Sequence, residues 1–229
     1  GGINLCYTAP VVEGQKPKPH HVEHFTSAAA LEARAAVLSA EGRDLYFTPA
    51  HFTTRTRNKT NAKWARSIWI DIDARDEKGC ATVEEAQTVL EEFRVALQLP
   101  APTVVLSGAG IHAYWTAESN MHPATWNVAA KVLHTMVKTY GGPIASDTAR
   151  ITDMSSMMRL PGFRNHYRGA DATILHLAPA MSDAAFASTF AQNRADSYQV
   201  YMSGRSTVAN PVPTTTLSAP VFHFSEPQY

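Results

Sequence analysis

The segment Ser67–Asp73, SIWIDID, constrains the fold more than any other part of the chain. Ile68, Ile70 and Ile72 alternate with Trp69, Asp71 and Asp73, which is the period of a strand rather than of a helix. One face of that strand is apolar and must be covered, so a sheet backed by helices is required. The same alternation puts Asp71 and Asp73 together on the other face, about 6–7 Å apart along the chain. Carboxylates so placed repel each other, and a hard divalent cation such as Mg²⁺ or Mn²⁺ relieves that repulsion through oxygen ligands. The plainer alternative is a strand end with two solvated acids.

The rest of the chain alternates strands and helices around this segment. Ile3–Thr8 and Asp44–Thr48 read as strands, separated by an alanine-rich helix over Ser27–Ala40 that Gly42 closes. After the paired acids, Thr82 and Glu85 have the spacing of a capping box for a helix running to about Gln98. Thr103–Ser107 and Ile111–Trp115 are strands joined by Gly108-Ala109-Gly110, a hairpin signal. Pro123–Tyr140 is a helix with proline in its first turn and Gly141-Gly142 beyond its end. Ile151, Met154 and Met158 fit one helical face, and Arg159-Leu160-Pro161-Gly162 ends that helix in a turn. Ala172–Leu177 is a last strand, and Ser182 caps a last short helix reaching Ala191.

From Ser67 the order strand, helix, strand, strand, helix, strand is that of a split βαβ, the ferredoxin-like or RNA-recognition-like pattern. The fold class is therefore α+β, with an N-terminal αβ lobe over about 1–66 and a core over about 67–180, in one domain spanning 1–192. Residues 193–229 lose periodicity and gather Ser, Thr and Pro, the composition of a linker or extension.

Charge decides which ligands suit such a domain. The 229 residues carry 20 basic and 20 acidic side chains, yet these are segregated. Arg55, Arg57, Lys59, Lys63 and Arg66 lie together with no acid among them. Asp71 to Glu92 nets −6, and four arginines between Arg150 and Arg168 face one acid, Asp153. Basic stretches bracketing an acidic one suit a polyanion and a metal meeting at one place. No apolar run has the ~18–20 residues a bilayer span needs, so no membrane partner is expected. Two cysteines, Cys6 and Cys80, are too few for a cysteine-rich zinc site or a disulfide framework, which implies a reducing compartment.

Two further stretches carry chemistry. In Ser107–Trp115, SGAGIHAYW, alternation sends Ile111, Ala113 and Trp115 to the core and leaves His112 and Tyr114 on an open face. The glycine turn lets backbone amides approach a phosphate, with His112 as a second donor; a polar residue satisfied within the strand is the alternative. In Ala145–Tyr167, Arg159 is held at a rigid corner, which suits bidentate contact with phosphate. Asp147 precedes a helix and reads either as its N-cap or as a functional acid.

The order IDID, SGAGIHAYW, then an acid before RLPGFRNH resembles the archaeo-eukaryotic primase superfamily, most of all the primase-polymerase domains of phages and plasmids, over roughly Asp44–Arg168. The resemblance implies a two-lobed catalytic domain in which Asp71, Asp73 and a third acid bind two Mg²⁺ or Mn²⁺ ions. Asp147 is the preferred third acid and Asp153 the alternative. It implies that Ser107, Gly110, His112 and Arg159 hold the incoming nucleoside triphosphate. It also implies that Arg55, Arg57, Lys59 and Lys63 meet single-stranded DNA template. The activity implied is primer synthesis or DNA polymerisation in phage or plasmid replication, in the host cytoplasm, with a helicase as a possible companion and no zinc knuckle.

Two other classes compete. A single-stranded nucleic-acid binding module would stack bases on Trp69 and Tyr114 of an open sheet. It leaves the paired acids unexplained, because carboxylates repel a phosphate backbone. A metal-dependent nuclease or nickase would use His20, His21 or His112 with a tyrosine, but the histidine-hydrophobic-histidine triplet of nickases is absent.

Overall fold

The structure is a computed structural model and describes residues 1–74, 80–140, 144, 148–191 and 224–225. The chain begins with β1 (Ile3–Pro10) and β2 (His21–Phe25), followed by α1 (Ala28–Ala40), β3 (Arg43–Phe47) and β4 (Ala50–Phe52). Ser27 caps α1 by accepting the Ala30 amide, and the helix buries Leu31, Ala35 and Leu38. These pack with Leu5, Tyr7 and Leu45 of the strands to form a small core of their own.

The long strand β5 (Ala62–Asp73) precedes α2 (Val83–Ala96), β6 (Thr103–Leu106), β7 (Gly110–Met121) and α3 (Pro123–Tyr140). The capping box at α2 forms with a shift of one residue. Thr82 Oγ1 accepts the Glu85 amide, while the Glu85 carboxylate accepts the amide of Ala81. Ile68, Ile70 and Ile72 join Ile111, Ala113 and Trp115 in one buried cluster with Leu90 and Phe93 of α2 and Leu133 of α3. Most of the apolar burial that stabilises the protein lies here.

Beyond α3 come α4 (Thr148–Ile151), the two-residue strands β8 (Met158–Arg159), β9 (Arg164–Asn165) and β10 (Ala170–Asp171), then β11 (Thr173–His176) and α5 (Asp183–Thr189), capped by Ser182. The helix expected to carry Ile151, Met154 and Met158 on one face stops at Ile151. Asp153 Oδ1 takes both the amide and the hydroxyl of Ser155, and the Asp153 carbonyl takes the Ser156 amide, so the chain turns instead. The three apolar residues are still buried, two of them from irregular backbone and a strand. Arg159 consequently sits in a strand and not at a helix end.

The main sheet has the order β11-β6-β7-β5-β4, with β12 (Phe224–Ser225) added to the far end of β7. β7 lies between β5 and β6, as a split βαβ requires. The last strand, however, adds to β6, and β4 holds the place beside β5, so the RNA-recognition-like arrangement is met only in part. The second sheet has the order β2-β1-β3-β8. It takes its fourth strand, β8, from within residues 67–180, while the main sheet takes β4 and the start of β5 from before residue 67. Each sheet thus draws strands from both sides of residue 66. Among the described residues no helix is long and apolar enough to cross a membrane.

One glycine locks the pairing that carries the acids. Gly110 has φ 149° and faces Asp73 across the β5–β7 ladder, where an added Cβ would stand 2.1 Å from the Ile72 carbonyl oxygen. Gly14 also has positive φ but open space around it, so Gly14→Ala gauges backbone strain alone. Strain of this kind costs about 1–3 kcal/mol, and displacement of β5 adds to it. Gly110→Ala should therefore lower the melting temperature by at least about 5 °C, and by more than Gly14→Ala does, in parallel thermal melts.

Candidate active site

Strand pairing sets Asp71 opposite His112 and Asp73 opposite Gly110. Both acids face a cleft between the two sheets, whose lining also includes Lys16, Tyr46, Ser107, Ala109, His112, Arg150, Arg159, Asn165, Tyr167 and Arg168. Four cationic side chains thus share the cleft with two carboxylates, a balance suited to an anionic ligand.

The expected open face is covered. His112 is 4% exposed and Tyr114 8% exposed. Trp69 is wholly buried, tilted on Trp126 with ring centroids 5.0 Å apart, and its Nε1 donates to the Arg150 carbonyl at 3.0 Å. Both aromatics are therefore buried rather than open for bases to stack on.

His112 Nε2 lies 3.6 Å from Asp71 Oδ1, and Nδ1 lies 3.3 Å from the Tyr114 hydroxyl. A nitrogen facing a carboxylate carries the ring proton, so the tyrosine donates to Nδ1 and Nε2–H points toward the acids. Burial pushes the imidazole pKa down to about 3, and the nearby Arg150 and Arg159 push it in the same direction. The ring is therefore a neutral donor. Burial and the Asp71 charge raise the Tyr114 pKa, which keeps that hydroxyl protonated.

Arg150 Nε stands 3.4 Å from Asp71 Oδ2, and its Nη1 donates to the Met157 carbonyl at 3.0 Å. Arg159 pairs with Asp44, a residue 0% exposed, and its guanidinium lies 4.2 Å over the ring of Tyr46. Asn165 Nδ2 donates to the Ser107 carbonyl at 2.8 Å and so joins the arginine-rich segment to the glycine hairpin. The Ser107 hydroxyl donates to the Gly110 carbonyl at 3.1 Å, closing that turn from within.

Of the residues expected in a site, Asp71, Asp73, Ser107, His112 and Arg159 meet in this cleft, with Gly110 packed beside Asp73. Asp147 lies outside the described residues. Asp153 is occupied in its own turn with Ser155 and does not line the cleft. Arg55, Lys59 and Lys63 are exposed around the β4–β5 connection. Lys63 stands eight residues from Asp71 along one strand, about 26 Å away. The Arg57 guanidinium donates to the Ser155 carbonyl. Tyr46, Lys16, Arg150, Tyr167 and Arg168 line the cleft beyond the expected residues, and Asp44 lies buried behind it. The arginines were visible as a basic stretch, while a single acid in a short strand gives no sequence signal.

The donor set fits a hard cation in its chemistry. Asp71 and Asp73 offer carboxylate oxygens at a cleft mouth, and Mg²⁺ commonly takes one or two carboxylates and completes its shell with water and substrate phosphates. Among the described residues no three histidine, cysteine or acidic side chains converge as a protein-only metal cage.

No protein-family profile matches the chain, and no curated protein matches it significantly. Solved structures do. The primase-polymerase AEP domain of cyanophage S-2L superposes with a TM-score of 0.57 at 16% identity, covering 82% of this chain and 89% of that one. The catalytic domain of primase RepB′, solved in complex with initiator DNA, gives 0.53 at 14% identity over 90% of this chain and 91% of that one. A second structure of primase RepB′ gives 0.52 at 15% identity, with 90% of this chain matched to 60% of that one. The fold is that of phage and plasmid primase-polymerase type domains.

The pH dependence of stability follows from His112. Its native pKa is about 3, against an ordinary value of 6.5, so below pH 6.5 the unfolded chain takes up a proton that the native state refuses. Stability is unaffected above that pH and declines as pH falls toward 3. At pH 5 the loss is on the order of 2 kcal/mol. His51, whose pKa burial lowers to about 4, adds a similar decline. In thermal melts without divalent ions, His112→Gln should show a shallower fall between pH 7 and pH 5 than the unaltered protein.

Proposed function

We propose that this primase-polymerase fold performs template-directed nucleotidyl transfer on single-stranded DNA, making or extending primers from nucleoside triphosphates. The observation that carries the reading is the register that sets Asp71 and Asp73 beside neutral His112 in a cleft also lined by Lys16, Arg150, Arg159 and Arg168.

In this reading Asp71 and Asp73 hold the divalent cations, Mg²⁺ or Mn²⁺. When bound, two such ions lower the pKa of the attacking 3′-hydroxyl and neutralise the leaving pyrophosphate. His112 donates its Nε2 proton to a phosphate oxygen and, being neutral, adds no charge to compete with the metals. Arg159, fixed on Tyr46, presents a planar fork to the triphosphate. Ser107 and Gly110 shape the turn against which the phosphates lie. Asp147 completes the acid set, and the exposed Arg55, Lys59 and Lys63, with Arg57, meet the template backbone through counterion release. Such catalysis is mostly positioning and electrostatics, so each metal ligand is indispensable. The setting is phage or plasmid replication in a host cytoplasm, with a helicase as partner.

The test is incorporation of labelled nucleotides on single-stranded DNA with Mg²⁺ or Mn²⁺, with and without a primer. Asp71→Ala and Asp73→Ala should each abolish incorporation while circular dichroism stays unchanged; either one retaining near-normal rates at saturating metal rejects the assignment. Asp147→Asn should lose most activity and Asp153→Asn should keep it. The reverse pattern transfers the role to Asp153.

A further inference from the structure

We infer that Asp44, a residue of the N-terminal sheet, is the positioning residue that fixes the triphosphate-binding half of the cleft. The inference rests on the functional reading above. Asp44 is fully buried and is not among the residues lining the cleft, so it does not itself touch a substrate.

Its two oxygens hold different parts of the site. Oδ2 lies 3.2 Å from Arg159 Nη1, whose guanidinium also donates from Nη2 to the Tyr46 hydroxyl at 3.0 Å. Strand pairing of Tyr46 with Arg159 brings that ring and guanidinium together. Oδ1 accepts the amides of His166 and Tyr167 at 2.7 and 3.4 Å. That anchors the segment from which Asn165, Tyr167 and Arg168 reach the cleft. Asn165 then reaches the Ser107 carbonyl, so the hairpin beside the paired acids is tied to the same carboxylate through one intermediate.

A buried ion pair is a poor way to gain stability, because apolar residues of the same volume do as well or better. Its value here is orientation. Arg159 Nη1 faces the carboxylate at 3.2 Å as a charge contact without hydrogen-bond geometry, while the Tyr46 hydroxyl and ring hold the rest of the guanidinium, which narrows the directions in which it can present donors. Asp44 also offsets part of the Arg159 charge, so Arg159 acts as an aligned donor while Lys16, Arg150 and Arg168 supply the net positive field.

The experiment compares Asp44→Asn and Asp44→Glu with the unaltered full chain. Asparagine keeps an acceptor for the two amides and loses the charge toward Arg159; glutamate keeps the charge and displaces it by one methylene. Three quantities are read: inorganic tripolyphosphate binding by calorimetry, KM and kcat for nucleotide incorporation, and single-stranded DNA affinity. Both variants should bind tripolyphosphate at least tenfold more weakly and raise the nucleotide KM by a similar factor. The kcat and DNA affinity should stay within about threefold. Arg159→Gln combined with Asp44→Asn should be no worse than Arg159→Gln alone. If asparagine prevents folding, glutamate alone decides. Unchanged tripolyphosphate binding, an effect confined to kcat, or additive losses in the double variant would overturn the inference. An unaltered protein that binds tripolyphosphate in an Asp44-dependent way yet incorporates no nucleotide would reject the functional reading and leave this inference standing. Failure of the unaltered protein to bind tripolyphosphate would reject the inference as well.

Discussion

The pairing of β5 with β7 fixes how Asp71 and Asp73 stand to His112 and Gly110, because side chains in a strand alternate and a slip of one residue exchanges the two faces. Slipped by one, Ile70 and Ile72 would face the cleft and the two acids would face the buried apolar cluster. Two features hold the register. The isoleucines are wholly buried on the helical side, where a charge would be costly. On the hairpin side, Gly110 admits the backbone of β5 at a distance that excludes any side chain. Catalytic geometry and core packing are thus enforced by the same hydrogen-bond ladder.

The second sheet changes what those residues can do. Without it, His112 and Tyr114 would titrate and exchange partners in water. Covered, they are 4% and 8% exposed, and their protonation states are settled by the loss of solvent. The low dielectric that holds the imidazole neutral also strengthens whatever its remaining donor meets. The cleft keeps its field because the arginines around it are held by neighbours, Arg150 beside Asp71 and Arg159 beside Asp44.

Local rules made much of this legible. The acid-bearing strand, the hairpin, α3 and the caps at Thr82 and Ser182 are short-range features, and they lie where the residues predict. What escaped was decided at long range. β2 and β4 are short, and only pairing makes them strands. β7 continues through the polar run after Trp115 because β5 and β12 supply partners for its backbone. Met154 and Met158 have helical spacing but are buried by the path of the chain rather than by a helix. Nothing near Trp69 in sequence announces what covers it, Trp126 of α3 and the Arg150 carbonyl of α4, and the burial of Tyr114 is equally non-local. Asp44 meets its partners from 122 residues away, a separation at which no local pattern operates.

The return of β8 to the N-terminal sheet also has a consequence for synthesis. Tyr46 and Arg159 are 113 residues apart, yet they sit side by side in the sheet. At about 5–20 residues per second, translation leaves the partner edge of β3 unpaired for about 6–23 s. During that time it presents bare strand hydrogen-bonding groups of the kind that recruit foreign strands. A lobe whose last strand is made so late cannot mature as an independent unit on the ribosome. Both the sheet and the cleft are completed only when Arg159 has emerged.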